Sequence, residues 1–230
     1  RYAKARPEGR LIWLHGASVG ESGVAIQLIE ALAARDASLS FLLTTGTRTS
    51  AELAARRAPA RTLHAYAPLD RTRAVRRFYD HWRPDVGVFV ESELWPHLIL
   101  EAEKRATPLA LVNARMSPSS LRRWRAWSAA GKRLMRAFAY VSAADARTAE
   151  TLSALRGASV PAPGNLKLAA PAPRVDAAKR ALLAAEIGAR PLWLAASTHA
   201  GEDEIALAAH ATLCAKFPEA LLVLAPRHPE

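Results

Sequence analysis

Two loops of this 230-residue sequence carry carboxylates directly after short apolar runs. The first, residues 15–21 (HGASVGE), contains two glycines, which permit a tight turn, and it ends on Glu21. The second, residues 91–96 (ESELWP), places Glu91 and Glu93 beyond the run VGVFV. A carboxylate in the first turn of a helix is stabilised as the anion and can serve as a general base. These loops therefore predict acid–base chemistry.

The same residues have other interpretations. Taken alone, Glu21 is more simply an ordinary acid of a first helical turn. For Glu91, a charged cap with Trp95 in the core is the alternative interpretation, and it is less favoured than the corresponding one for Glu21. The first loop also spells G-x-S-x-G, the nucleophile elbow of serine hydrolases, with Ser18 as nucleophile. Only 15 residues precede Gly16, whereas an α/β-hydrolase has earlier strands that complete its sheet and oxyanion loop. Serine hydrolysis is therefore the alternative function.

Further polar loops follow the same rule. Residues 44–50 (TTGTRTS) combine hydroxyls with the guanidinium of Arg48, a set suited to sugar hydroxyls or phosphate. The remaining polar loops are NARMS (113–117), GNLK (164–167), STH (197–199) and PRHP (226–229). Ligands of open parallel sheets bind beyond the carboxyl ends of the strands, so these loops predict a cleft between two halves of the chain.

The elements that must position these loops alternate between strand and helix. We predict strands over residues 11–15, 39–44, 62–66, 86–90, 109–112, 139–142, 192–196 and 221–224. We predict helices over residues 20–34, 49–57, 70–82, 96–104, 118–136, 145–155, 175–187 and 202–217. This alternation indicates an α/β fold with parallel sheets.

Two Pro/Ala clusters, VPAPG (160–164) and APAP (170–173), interrupt the alternation and predict a stiff linker. We therefore predict a first domain over residues 1–163, a linker over 164–174, and the start of a second domain over 175–230, incomplete after two strands. Residues 169–230 hold 6 Lys/Arg and 7 Asp/Glu, whereas residues 1–168 hold 26 and 14. This uneven charge predicts an anionic partner for the first domain.

Residues 121–136 contain six basic residues and no acid, with apolar residues near helical spacing. This pattern is typical of a helix on a membrane surface, and a solvated basic face over an ordinary core contact is about equally consistent with it. No nucleic-acid motif accompanies the charge. A non-catalytic module that binds membranes or nucleic acid is a third class of function. The single cysteine, Cys214, excludes an internal disulfide, and no apolar run reaches the ~20 residues of a membrane-spanning helix.

In order along the chain, the segments WLHGASVGE, VESELWP, NARMS, GNLK, STHAGEDE and PRHPE resemble the Kdo (3-deoxy-D-manno-octulosonic acid) transferase family. The resemblance implies a GT-B fold of two Rossmann-like domains, with the acceptor on the first and the nucleotide on the second. It implies inverting, metal-independent transfer of Kdo from CMP-Kdo to the lipid A precursor, lipid IVA, in lipopolysaccharide biosynthesis. No cofactor is expected beyond the donor substrate.

The resemblance also implies residue roles. Glu21 becomes the general base that deprotonates the acceptor hydroxyl, and Glu91 becomes the second required acid. On the acceptor side we further expect Ser18, Gly20, Arg48, Glu93 and Arg115. On the donor side we expect Lys167, Ser197, Thr198, Arg227 and His228, with Lys167 facing the Kdo carboxylate or the CMP phosphate.

The resemblance implies a place at the cytoplasmic face of the inner membrane of Gram-negative bacteria. The expected partners are the lipid A precursor, CMP-Kdo and the anionic membrane surface, and no nucleic acid is expected. Members of the family begin with a hydrophobic anchor and continue well beyond the PRH motif. We therefore expect this sequence to be a fragment that lacks the anchor and part of the second domain.

Overall fold

The computed structural model describes residues 4–91, 93–126, 128–169 and 175–227. The chain forms two compact units, residues 1–171 and 172–230. Both are built from helices and strands, and the strand pairs among the described residues are all parallel. The predicted α/β fold with parallel sheets is therefore confirmed. In the described part of the chain, no helix is both long and apolar enough to cross a bilayer.

The first unit is built on a six-stranded sheet in the order β3-β2-β1-β4-β5-β6. Its strands are β1 (Leu11–His15), β2 (Ser40–Thr45), β3 (Thr62–Tyr66), β4 (Val86–Val90), β5 (Leu109–Ala114) and β6 (Phe138–Ala143). This is the Rossmann order, in which the direction of winding reverses between β1 and β4. Loops that leave the carboxyl ends of these two strands diverge and open a crevice, which is the usual ligand site of such sheets.

The helices of the first unit begin and end within two residues of their predicted bounds. They are α1 (Val19–Arg35), α2 (Arg48–Arg57), α3 (Thr72–Trp82), α4 (Pro96–Lys104), α5 (Pro118–Ala126), α6 (Ser128–Arg136) and α7 (Ala146–Arg156). The single helix predicted over 118–136 is helical on both sides of residue 127, which lies outside the described residues.

Alternate residues of β1 enter two different cores. Leu11 and Trp13 lie in a cluster with residues of α3, α4, α6 and α7, whereas Ile12 and Leu14 lie in a cluster with residues of α1. Successive strand side chains point to opposite faces of a sheet, so a strand covered on both faces is apolar at every position. β1 is buried along its whole length, which gives the loop after it a rigid starting point.

The second unit contains α8 (Ala177–Ile187), β7 (Leu192–Thr198), α9 (Glu202–Cys214) and β8 (Leu221–Pro226). Helix α9 ends three residues before the predicted end at Phe217. The prediction was wrong there because Pro218 disfavours helical backbone in the residue that precedes it.

The first part of the predicted linker belongs to the first unit. Residues Leu166–Ala169 form a short 3-10 helix, and the Leu166 N–H donates to Asn113 Oδ1 at 2.9 Å. Pro/Ala composition alone does not reveal this hydrogen bond. Residues 170–174 of the predicted linker lie outside the described residues, and the bounds of the functional domains stay a prediction.

Candidate active site

The loop between β1 and α1 positions Glu21. Ser18 caps the helix: its Oγ accepts from the Glu21 N–H at 3.3 Å, and Glu21 Oε2 accepts from the Ser18 N–H at 2.8 Å. This reciprocal capping box orients the Glu21 carboxylate. A Cβ on Gly16 would lie 2.8 Å from the Glu21 carbonyl carbon, so only glycine lets the loop pass this close to the helix.

Glu91 lies at the carboxyl end of the neighbouring central strand. Its N–H donates to the Val112 carbonyl at 3.0 Å, and its backbone is left-handed, with a φ of 61°. Such a φ is uncommon for a residue other than glycine and costs energy that the surrounding contacts must offset. The Glu91 carboxylate is 12% exposed and lies 2.6 Å from Lys167 Nζ.

Asn113 brings Lys167 to this carboxylate. Its side chain is buried, its Oδ1 accepts from the Leu166 N–H, and its Nδ2 donates to Asn165 Oδ1 at 3.3 Å. Asn165 Oδ1 also accepts from the Lys167 N–H at 3.0 Å. The NARMS and GNLK loops, far apart in sequence, are therefore joined by an amide network. Asn113 and Asn165 had been assigned no role from the sequence, although both lie in segments that the resemblance included.

Glu93 is held by aromatic donors from β1 and from its own loop. Its Oε2 lies 3.0 Å from His15 Nε2, and the Trp95 indole N–H also donates to Oε2. Burial raises the pKa of Glu93, but the hydrogen bonds from His15 and Trp95 outweigh it, so that the pKa lies below its usual range. Sequence reasoning missed His15 as a partner of Glu93; its position on the last residue of β1 was the available signal.

The pKa of Glu21 is raised above its ordinary value. Burial is the main cause, the charges of Glu93 and Glu91 add to it, and the hydrogen bonds from Ser18 oppose it. The structure therefore brings together Glu21, Glu91 and Glu93. The structure also brings Lys167 to these carboxyls. If residue 20 were alanine, its Cβ would lie 3.3 Å from Lys167 Nζ.

The surroundings of the other predicted site residues differ from one residue to the next. The Arg48 guanidinium is 88% exposed and pairs with Glu52 on its own helix at 3.6 Å. Arg115 lies on the exposed surface just beyond β5. In the second unit, the Arg227 N–H donates to the Thr198 carbonyl at 2.9 Å beside Ser197. His228 lies outside the described residues.

The geometry at Ser18 gives no support to the alternative of a serine hydrolase. Ser18 has an ordinary extended backbone, with a φ of −90° and a ψ of 167°, instead of the strained turn of a nucleophile elbow. The nearby histidine of the same loop, His15, contacts Thr44 and Glu93 through its two ring nitrogens. The G-x-S-x-G pattern here consists of Gly16, which packs against the Glu21 backbone, the helix cap Ser18, and Gly20 beside Lys167.

Residues 1–170 match the family described as 3-deoxy-D-manno-octulosonic-acid transferase (kdotransferase). The chain belongs to the Kdo transferase family. It is 33% identical to the 3-deoxy-D-manno-octulosonic acid transferase of Rickettsia bellii, over 99% of this chain and 54% of that protein. It is 35% identical to that of Haemophilus influenzae, over 97% of this chain and 53% of that protein. It is 34% identical to the Arabidopsis thaliana protein named probable 3-deoxy-D-manno-octulosonic acid transferase, mitochondrial, over 97% of this chain and 52% of that protein. The chain thus spans about half the length of these relatives.

Solved structures agree with the predicted GT-B fold. A UDP-GlcNAc 2-epimerase from Neisseria meningitidis superposes with a TM-score of 0.62 at 14% identity, over 96% of this chain and 66% of that one. A glycosyltransferase from Rickettsia africae gives a TM-score of 0.54 at 9% identity, over 95% and 69%. At these identities the likeness concerns the fold alone.

Proposed function

We propose that this chain carries the acceptor side of a Kdo transferase, with Glu21 as general base. The Glu21 carboxylate takes the proton from a hydroxyl of the lipid A precursor as that oxygen attacks the anomeric carbon of Kdo. The bond between that carbon and the phosphate oxygen of CMP-Kdo breaks, and CMP leaves. A single displacement of this kind inverts the anomeric centre and requires a base, but no nucleophile on the protein.

The main support for the proposal is that three neighbouring carboxyl groups have different partners. Glu91 pairs with Lys167 at 2.6 Å, and Glu93 accepts from His15 at 3.0 Å. Among the described residues, Glu21 forms no ion pair and accepts its hydrogen bond from Ser18. Its pKa is raised while that of Glu93 is lowered. Carboxyls with pKa values moved apart are suited to different roles, and the one with the higher pKa is the better proton acceptor.

We further propose that the second unit contributes to binding CMP-Kdo. Ser197, Thr198 and Arg227 lie at the carboxyl ends of β7 and β8, where parallel sheets bind ligands. Ser197 has a φ of 60° at a register shift of the strand pair, and the Arg227 guanidinium suits a phosphate. A donor-side role for Lys167 and His228, and an acceptor-side role for Arg48 and Arg115, stay predictions, as does independence from metals and cofactors.

An anionic membrane surface is the proposed location of the first unit, on the cytoplasmic side of the inner membrane. Helices α5 and α6 expose the basic residues Arg122, Arg123, Lys132 and Arg136. From the same helices, Leu134 is buried in the core and Trp124 packs against it. The apolar face of these helices thus serves the core, so the basic face supports electrostatic attraction to anionic headgroups more than insertion between lipids.

The test is acceptor-dependent release of CMP from CMP-Kdo by the whole natural protein with lipid IVA. Glu21→Gln keeps a side chain able to complete the capping box but removes the base. We expect its rate to fall by about 10²–10⁴-fold, with a thermal unfolding temperature no lower than that of the wild type. Glu30→Gln, an exposed position on the same helix, is the matched control and should leave the rate unchanged. Absence of release by the wild type would refute Kdo transfer, and full activity of Glu21→Gln would move the base to another residue.

A further inference from the structure

A chain of buried hydrogen bonds leads from the core of the first unit to Glu93. The Trp13 indole N–H donates to Thr44 Oγ1 at 2.8 Å, and that oxygen lies 2.9 Å from His15 Nδ1. The other ring nitrogen of His15 lies 3.0 Å from Glu93 Oε2. Trp13, His15 and Thr44 are each 0% exposed.

The direction of these bonds follows from what each group can donate. An indole N–H donates only, so the Thr44 hydroxyl accepts from Trp13 and keeps one proton of its own to give. Its nearer acceptor is His15 Nδ1 at 2.9 Å, since the Leu14 carbonyl lies at 3.4 Å. A nitrogen that accepts a hydrogen bond carries no proton, so the ring proton of a neutral His15 resides on Nε2. That N–H then donates to the Glu93 carboxylate.

We propose that His15 is a positioning residue: Trp13 and Thr44 hold it as the neutral Nε2–H tautomer, and it orients the Glu93 carboxylate at the site of the Glu21 base. This proposal rests on the function proposed above. His15 ends β1 and Glu93 lies beyond β4, so the bond joins the two strands that flank the crevice. The packing of His15 edge-on against Phe89 and Trp95 fixes the plane of its ring.

The orientation of Glu93 matters for the base. The Glu93 charge contributes to the raised pKa of Glu21, more than the charge of Glu91 does. If the Glu93 carboxylate turned away from His15, its distance from the Glu21 carboxylate would change. The pKa of Glu21, and with it the strength of Glu21 as a base, would then change as well. Misplacement of a supporting group by about 1 Å can cost up to about 100-fold in rate.

Two substitutions of His15 distinguish a role in positioning Glu93 from a role in packing alone. His15→Gln can place an amide N–H near the position of Nε2, whereas the shorter side chain of His15→Asn reaches only the position of Nδ1. We expect the asparagine variant of the whole protein to lose up to about 100-fold in kcat with little change in KM for CMP-Kdo. The glutamine variant should retain most of the activity. Equal activity of the two variants, both folded, would overturn the proposal.

The tautomer of His15 can be measured directly by ¹⁵N NMR of the histidine-labelled whole protein at pH 7. The signals of His15 are those that disappear from the spectrum of His15→Gln. We expect a neutral ring protonated on Nε2, and a mixture of tautomers in Thr44→Val but not in Thr44→Ser. An imidazolium, or a ring protonated on Nδ1, would overturn the proposal. This measurement needs no turnover, so failure of Kdo transfer would refute the proposed function while the NMR result still decided the tautomer of His15.

Discussion

Lys167 Nζ lies 2.6 Å from Glu91 Oε1, within an amide network that joins the end of β5 to the 3-10 helix. The Glu91 side chain is 12% exposed and that of Lys167 is 39% exposed, so the pair is only partly screened by water. The ammonium also lies against the first turn of α1, beside Gly20. One cation therefore connects a carboxylate of the site to the helix that carries Glu21.

This pair should contribute measurably to stability. Lys167→Met leaves the mostly buried Glu91 carboxylate without its cation, and we expect a loss of about 1 kcal/mol in the free energy of unfolding. The double variant with Glu91→Gln should recover part of that loss, measured by urea unfolding. Arg48→Met, which breaks an exposed pair with Glu52, is the control and should change stability by no more than about 0.5 kcal/mol. Additive effects of the Lys167 and Glu91 substitutions would contradict the pairing.

Two glycines of α1 should respond differently to alanine. A Cβ on Gly20 would lie 3.3 Å from Lys167 Nζ and 3.5 Å from its Cε, whereas a Cβ on Gly23 would meet nothing within 4 Å. Both substitutions gain up to about 1 kcal/mol from helix propensity. Only Gly20→Ala must move the Lys167 ammonium, so only that variant should lose Kdo transfer, by several-fold. Equal activities of the two variants would show that the position of Lys167 does not matter for the reaction.

The pH dependence of the rate should reflect Glu21. Because burial raises its pKa, the acid limb of kcat/KM should lie above the ordinary glutamate pKa of about 4.3. Activity falls as Glu21 gains its proton, and the limb should vanish from the residual rate of Glu21→Gln. A limb that persists in this variant would belong to another group.

The same pKa has a consequence for stability with a defined sign. A carboxyl whose pKa is raised in the folded state binds its proton more tightly there than in the unfolded chain. The stabilising contribution of this group is present below the unfolded pKa and is lost as the pH rises through the folded pKa. Glu21→Gln should therefore be more stable than the wild type at pH 7, with the difference shrinking towards pH 4 in urea titrations. A difference that grows on acidification would contradict the assignment.

Ser18 should behave as a helix cap. Ser18→Ala removes the acceptor of the Glu21 N–H and should cost about 1 kcal/mol of stability, whereas Ser18→Asn, another good N-cap, should cost much less. The wild type should not react with a fluorophosphonate probe. Labelling that disappears in both Ser18 variants would revive the hydrolase alternative.

The sequence by itself determined the α/β class, most strand and helix bounds, and the acids that gather at the crevice. Local periodicity specifies these features: β1 is apolar at each position because both its faces are buried, and Glu21 follows a recognisable N-cap. The segments that resemble the Kdo transferases likewise pointed to the family that residues 1–170 match.

Only the tertiary structure decided which partner each carboxyl has. Lys167 pairs with Glu91 because Asn113 holds the GNLK segment, and Glu93 meets His15 because β1 and β4 are neighbours in the sheet. These contacts join residues far apart in the chain, whose distances depend on strand order and on single side-chain hydrogen bonds. Composition and spacing do not encode such distances, and they also failed to show that Arg48 turns to Glu52. One of these contacts, the hydrogen bond from His15, lowers the pKa of Glu93 together with the bond from Trp95, whereas burial raises the pKa of Glu21.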